Sequence, residues 1–253
     1  MITTIFERLK QGYRTQRFPP AQDTLPDRLQ GLPAVEPDRC RTDCSQCIAA
    51  CPTQAIGRNA AGRLSIDLGR CLFCGECEKA CPSGAIRFSN GYRLATRKRE
   101  DLLVSGNHGI RLAEALNRET LRLFGRSLKL RQVCAGGCNA CEADTNVLNT
   151  LVFDLGRFGI QFVASPRHAD GLLITGPVTE NMREALLKTW EAVPAPRLVI
   201  AVGACAISGG PFIGHPEAHD GASNVIPVDL FVPGCPPHPW TILDGMLRLL
   251  ARV

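Results

Sequence analysis

Thirteen of the 253 residues are cysteine, and eight of them stand in two similar blocks. The first block reads Cys40-Arg-Thr-Asp-Cys44-Ser-Gln-Cys47-Ile-Ala-Ala-Cys51-Pro52, and the second reads Cys71-Leu-Phe-Cys74-Gly-Glu-Cys77-Glu-Lys-Ala-Cys81-Pro82. A cuboidal [4Fe–4S] cluster needs four thiolates converging on a narrow pocket, so three come from one tight loop and the fourth from elsewhere. In the bacterial two-cluster pattern the cysteine before proline is lent to the other cluster. That rule groups Cys40, Cys44 and Cys47 with Cys81, and Cys71, Cys74 and Cys77 with Cys51. Structural zinc and a disulfide scaffold are the other readings of so many thiols. Zinc sites pair two short Cys-x2-Cys knuckles or mix in histidine, and they do not call for four cysteines ending in Cys-Pro, twice. The first block departs from the usual pattern by spacing its leading pair as Cys-x3-Cys, and the departure bears on Cys40 as a ligand.

Cys134, Cys138, Cys141, Cys205 and Cys235 remain. Cys138-Asn-Ala-Cys141 follows a predicted strand and opens a predicted helix, whose N-terminal dipole favours anionic groups. Cys205 lies in Val202-Gly-Ala-Cys-Ala-Ile-Ser-Gly-Gly210 and Cys235 in Val232-Pro-Gly-Cys-Pro-Pro-His-Pro239, each directly after a predicted strand. Cys138, Cys141, Cys205 and Cys235 are therefore expected to converge as the ligands of a third [4Fe–4S] cluster. Neighbouring glycines let the backbone approach it and aim amides at its sulfurs. Cys134 stands outside this quartet and is expected to be a structural thiol. Glu142 and Asp144 are expected to complement the helix N-terminus, and His168 and His238 to be hydrogen-bonded structural residues.

The elements that must position these groups differ between the two ends of the chain. Each N-terminal block is followed by a short apolar strand, Gln54–Ile56 after the first and Gly84–Phe88 after the second. From about residue 126 strands alternate with helices. Strands are predicted over Leu128–Val133, Gln161–Ala164, Leu172–Thr175, Leu198–Val202 and Val225–Val232, and helices over Thr145–Leu155, Glu180–Ala192 and Pro239–Leu250. This alternation implies an α/β fold with a doubly wound parallel sheet, which places ligands at its carboxyl edge. A further helix is predicted over Ile110–Phe124, stopped by Gly125. The expected organisation is an extended and amphipathic lead-in over 1–37, a two-cluster segment over 38–95, a basic helical linker over 96–125, and the α/β domain over 126–253.

Composition sets the limits. With 45% hydrophobic and 21% charged residues the chain is globular, with enough length for proper cores. Its net charge of +5 is concentrated between Arg93 and Arg131, where Arg97, Lys98, Arg99, Arg111, Arg118, Arg122, Arg126 and Lys129 read as a solvated basic face on a connecting helix. An acidic partner or an anionic membrane face is the alternative use of that charge. No aromatic-rich or recognition-helix pattern accompanies it, which argues against nucleic acid. The N-terminal eighteen residues hold no apolar run long enough for a signal peptide, so the thiols are expected in a reducing cytosol. No run approaches the ~18–20 apolar residues that span a bilayer. Ile2, Ile5, Phe6, Leu9 and Tyr13 recur near helical spacing beside Lys10, Arg14 and Arg17, as in an interfacial helix or one packed on a neighbouring subunit.

The two Cys-Pro blocks resemble the two-cluster ferredoxin subunits of complex I and of formate hydrogenlyase-type membrane hydrogenases. The Arg-Phe-Pro lead-in and Tyr92-Arg-Leu-Ala followed by basic residues and Glu100-Asp101 resemble the latter. Residues 126–251 resemble the small subunit of group-four [NiFe] hydrogenases and its complex I homologue. That likeness is carried by Ser165-Pro-Arg-His-Ala-Asp170, Leu173-Ile-Thr-Gly-Pro-Val-Thr179, the Gly-Ala-Cys loop and the Pro-Gly-Cys-Pro-Pro loop. It implies a flavodoxin-like α/β domain preceded by an α+β bacterial two-cluster ferredoxin-like domain. It further implies an electron-transfer role through three [4Fe–4S] clusters, the last being the proximal cluster. Complex I homologues use adjacent cysteines for the first two ligands of that cluster, whereas Cys138 and Cys141 have the hydrogenase spacing. The implied partners are a [NiFe] hydrogenase-type large subunit, membrane-arm subunits and an upstream donor such as a formate dehydrogenase or ferredoxin, on the cytoplasmic face of the membrane. A complex I-like quinone oxidoreductase subunit is the alternative within this superfamily, and a non-redox metal-bound scaffold is the alternative outside it.

Overall fold

The computed structural model describes residues 2–21, 25–41, 43–106 and 109–253. Helix α1 (Ile2–Gln11) buries none of its residues. The segment after it crosses the C-terminal half: Gln16 N donates to Val152 O at 2.9 Å, and the Phe18 ring packs on Phe158 and Trp240. The chain then enters the cysteine-rich part through β1 (Pro33–Val35), α2 (Gln46–Ala49), β2 (Ile56–Arg58), β3 (Leu64–Asp67), α3 (Glu76–Lys79) and β4 (Ile86–Phe88). β1 pairs antiparallel with β4, and β2 with β3, so each half of the internal repeat contributes one short helix and two strands. The strand after the first block starts later than predicted, at Ile56, because the Ala55 amide is turned toward the Cys51 sulfur.

Residues 96–104 join the two halves by pairing with both. Thr96 bridges Phe231 with two backbone hydrogen bonds of 3.0 and 2.9 Å. After a 3₁₀ turn at Arg99–Leu102, β5 (Leu103–Val104) becomes the third strand beside β3. The Arg99 guanidinium grips both carboxylate oxygens of Asp67 at 2.8 and 2.7 Å, and Arg97 Nε donates to Asp229 O at 3.2 Å. Ser208 Oγ donates to Gly69 O at 2.8 Å. The expected solvated basic face is therefore corrected at Arg97 and Arg99, which staple the halves together, while Lys98, Arg111, Arg118, Arg122, Arg126 and Lys129 are exposed as expected. The predicted helix over Ile110–Phe124 is also shortened, to α4 (Arg118–Phe124). Asn117 caps its start by accepting from Thr120 N, while the preceding amides of Ala113 and Leu116 donate to Ala95 O and Leu249 O. Gly125 ends this helix with φ −63°, not in a left-handed turn.

The C-terminal half is built from β6 (Leu128–Cys134), α5 (Ala140–Val147), β7 (Ile160–Phe162), β8 (Gly171–Thr175), α6 (Glu180–Ala192), β9 (Leu198–Val202), α7 (Ala204–Ser208), β10 (Leu230–Val232) and α8 (Pro239–Leu249). Its five strands are parallel in the order β10-β9-β8-β6-β7, the flavodoxin-like arrangement. β8 and β9 are buried throughout, as strands covered on both faces must be. One apolar cluster joins Ile66, Leu68 and Leu102 to Val178, Ala206 and Ile207, so the core is continuous across both halves. α5 begins five residues earlier than the predicted helix because the Cys138–Cys141 loop itself opens it. β10 is shorter than predicted, since Asp229 turns its carboxylate to accept from Val199 N at 2.9 Å.

Arg99 and Asp67 are both largely buried, and a charge-assisted bidentate pair contributes about 2 kcal/mol. Arg99→Ala is expected to lower the unfolding free energy by that order in denaturant titration. Arg99→Lys is expected to recover only part of it, because lysine cannot match both oxygens.

Candidate functional site

All thirteen cysteines are free thiols, so no disulfide scaffold exists. They gather as three groups. Burial pushes the Cys47 thiol above its ordinary range, and the neighbouring Cys81, Cys40 and Cys44 add to the rise. Cys40 thus belongs to the first group despite the longer spacing; Thr42, inside that spacing, lies outside the described residues. Burial pushes Cys71 up to about 12, and its thiol neighbours are Cys77, Cys51 and Cys74. Cys77 is raised to about 11 by burial and by Cys51 and Cys74. Cys51 thus lies beside Cys71, Cys74 and Cys77, and Cys81 beside Cys40, Cys44 and Cys47.

The repeat extends to the surroundings of those two thiols. Ala55 N donates to Cys51 Sγ and Ala85 N to Cys81 Sγ, each at 3.2 Å. Thr53 Oγ1 lies 3.9 Å from Cys51 Sγ, and Ser83 Oγ lies 3.6 Å from Cys81 Sγ. Gln54 and Gly84 occupy equivalent left-handed positions, φ 52° and 63°, which turn the chain so that the following amide faces the sulfur. Burial works to raise Cys81, and the Ser83 hydroxyl with the Ala85, Ile86 and Ser83 amides outweighs it, leaving this thiol below its ordinary value. These donors were not foreseen from the sequence, although the repeated Cys-Pro-[Thr/Ser]-x-Ala is their signal.

The third group forms at the carboxyl ends of β6, β9 and β10. Burial pushes Cys141 strongly upward, reinforced by Cys205, by the Glu142 carboxylate, and by Cys235 and Cys138. Cys205 is raised to about 12 by burial and by Cys235 and Cys138. Gly203, at φ 91°, is required here: a Cβ on it would sit 2.5 Å from Cys141 Sγ. Glu142 is buried and accepts a hydrogen bond from Thr175 Oγ1, so it braces the end of β8 as well as standing in the first helical turn. His238 has the expected structural role, its Nδ1 accepting from Trp240 N at 3.1 Å to cap α8. Cys134 ends β6 and is exposed. Cys235 is raised by burial, by Cys138 and also by Cys74, so the second and third groups are neighbours.

A zinc ion held at about 2.3 Å from each sulfur draws its thiols tightly together. Among the described residues no group of three or more His, Cys, Asp or Glu is arranged to hold a single metal ion.

Residues 39–85, which include all eight N-terminal cysteines, match the 4Fe-4S dicluster domain. Residues 138–249 match the family described as NADH ubiquinone oxidoreductase, 20 Kd subunit. The chain is 42% identical over 132 residues to a probable membrane-bound hydrogenase subunit, mbhJ, of Pyrococcus furiosus, covering 52% of this chain and 79% of the relative. It is 43% identical over 130 residues to formate hydrogenlyase subunit 7 of Escherichia coli, covering 51% of this chain and 51% of that relative. A subunit of the NADH-quinone oxidoreductase of Heliobacterium modesticaldum is 41% identical over 120 residues, covering 47% of this chain and 69% of its own length. No helix among the described residues is long and apolar enough to cross a membrane. With its third thiol group inside the matched segment, the chain belongs to the family of the 20 kDa subunit of NADH ubiquinone oxidoreductase, joined here to an N-terminal 4Fe-4S dicluster domain.

Proposed function

We propose that this chain is the electron-transfer subunit of a membrane-associated [NiFe] hydrogenase of the formate hydrogenlyase or energy-converting type. The observation that carries the reading is the closeness of Cys74 to Cys235, which makes the ferredoxin part and the C-terminal part consecutive stations of one route. Cys40, Cys44, Cys47 and Cys81 hold the first [4Fe–4S] cluster, Cys71, Cys74, Cys77 and Cys51 the second, and Cys138, Cys141, Cys205 and Cys235 the third. Bound there, the clusters supply reversible one-electron exchange. The chain's own residues orient the sulfurs, shield Cys71 and Cys77 from water, and lower the charge on Cys51 and Cys81 through the Ala55 and Ala85 amides. Cys138 is exposed, which suits a route that ends at a covering large subunit carrying the [NiFe] centre. Membrane-arm subunits and an upstream formate, carbon monoxide or ferredoxin oxidising subunit complete the assembly on the cytoplasmic face. The Cys138–Cys141 spacing favours hydrogenase over quinone chemistry. The complex I-like alternative draws its support from the 41% identity to the NADH-quinone oxidoreductase relative.

Anaerobic purification of the native complex tests the assignment. A large subunit with two nickel-binding Cys-x2-Cys motifs and hydrogen evolution are expected; quinone reduction without nickel would select the alternative. The chain itself should carry about twelve irons and give three fast-relaxing EPR signals on reduction, and zinc without a signal would sink the cluster proposal.

Single substitutions separate the ligands. Cys77→Ser is expected to remove or convert one EPR signal while sparing the other two, and Cys134→Ser to leave all three intact. Loss of a whole signal in Cys134→Ser would place that thiol among the ligands.

The raised thiols also make a pH prediction for the cluster-free chain. Unfolded thiols ionise near 9.0, whereas folded Cys77 and Cys71 hold their protons to about 11 and 12. Their contribution to stability is thus complete below pH 9 and lost as pH rises toward 12. Alkylation at pH 8 should accordingly reach exposed Cys74 and Cys138 well before Cys71 and Cys77, and equal rates would show that the buried set is open.

A further inference from the structure

From Cys44 onward the two cysteine blocks correspond position for position, so that Cys44, Cys47, Cys51 and Arg58 stand where Cys74, Cys77, Cys81 and Phe88 stand in the second. The correspondence breaks at the leading pair, because Cys40 and Cys44 enclose one residue more than Cys71 and Cys74. The blocks also differ in what the following strand sends back to that pair. From β4, the Phe88 ring packs edge-on against Phe73, which lies between Cys71 and Cys74, with ring centroids 6.3 Å apart. From β2, the half-buried Arg58 reaches the longer loop with hydrogen bonds: Nη2 donates to Arg41 O at 3.1 Å and to Cys44 O at 2.8 Å. Its Nη1 donates to Gly62 O at 2.9 Å, which fixes the same group to the turn between β2 and β3.

A loop lengthened by one residue has more conformations to exclude before its thiols converge. One planar guanidinium gripping two carbonyls removes part of that freedom, because its donors have a fixed fork geometry. It also brings a permanent charge. Among the described residues Arg58 forms no ion pair: the nearby Asp43 carboxylate is held by Arg41, whose hydrogen bond lowers the Asp43 pKa more than the charge of Arg58 does. A cation beside the ligand loop favours the more negative, reduced state of a thiolate-bound cluster, and net charge is one of the levers on its potential. We propose that Arg58 is the positioning residue of the first cluster site, holding the Cys40–Cys44 loop in ligating shape and raising the potential of the cluster there. The Phe88 ring supplies neither hydrogen bond nor charge at the equivalent place in the second site. The effect on potential rests on the ligation by Cys40, Cys44, Cys47 and Cys81 proposed above; the hold on the loop does not.

The test compares the anaerobically prepared, cluster-loaded full chain with Arg58→Met, Arg58→Gln and Arg58→Lys. Redox titration followed by EPR reads the potential, and the signal removed or converted by Cys47→Ser identifies the first cluster. That signal is expected at lower potential in Arg58→Met and Arg58→Gln, and near its original potential in Arg58→Lys, which keeps the charge. Hydrogen–deuterium exchange reads the loop: amides of residues 40–47 should exchange about tenfold faster in Arg58→Met. They should exchange faster in Arg58→Lys too, since an ammonium cannot fork both carbonyls, while amides of residues 71–77 keep their rates. An unchanged first signal in Arg58→Met, or one lowered equally in Arg58→Lys, overturns the effect on potential. Unchanged exchange in both variants overturns the hold on the loop. Should Arg58→Met and Arg58→Gln not fold, Arg58→Lys decides alone: unchanged exchange refutes the hold, and a lowered potential refutes the role of charge. An unsubstituted chain that binds no iron, with exchange still rising in Arg58→Met, would sink the ligation and leave the hold on the loop standing.

Discussion

Crowding thiols in a poorly hydrated space is the constraint on which the rest of this structure depends. Each thiolate taken out of water loses hydration, and each neighbour of like charge adds repulsion. Cys71, Cys77, Cys141 and Cys205 all show both penalties. Only a positively charged group at the centre of each set relieves them, which is why metal binding and proton release are linked in such sites. The surrounding backbone is arranged to the same end. Amides face Cys51 and Cys81, a short helix opens at each Cys-x2-Cys pair, and Gly203 leaves room for the Cys141 sulfur.

Two different scaffolds meet this demand. In the N-terminal half, short helices and strands have too little core of their own, and the internal repeat solves the problem by lending a thiol across its pseudo-symmetry. In the C-terminal half, a fully covered parallel sheet delivers residues from separate strands to one edge, the usual place for a ligand in such folds. Residues 96–104 then tie one to the other through Thr96, the Arg99–Asp67 pair and β5. Together with the Ser208 contact to Gly69, they hold Cys74 beside Cys235 by covalent and hydrogen-bonded connections within a single chain.

Which cysteines stand near one another was legible in the sequence because their spacing is local and each Cys-Pro turns toward the other block. The sheet was legible because Leu198–Val202 and Gly171–Thr175 are continuous apolar runs bounded by glycine and proline. What was not legible depended on distant partners. Residues 110–117 have helical spacing, yet their amides are claimed by Ala95 and Leu249. Arg99 and Arg97 look solvated until Asp67 and the Asp229 carbonyl are brought to them. The start of α5 was missed for the opposite reason, since a loop able to bind a cluster and a helix N-terminus are the same residues there.

The path of residues 12–21 has a consequence for how the molecule is made. Phe18 rests against Phe158 and Trp240, so a segment made before the cysteine blocks has no seat until α8 has emerged. Leu116 waits in the same way for Leu249. The eight-cysteine module between them has its strands and thiols close in sequence and can close while the rest is still being synthesised. Vectorial synthesis therefore lets the eight-cysteine module close before Cys205 and Cys235 have been made.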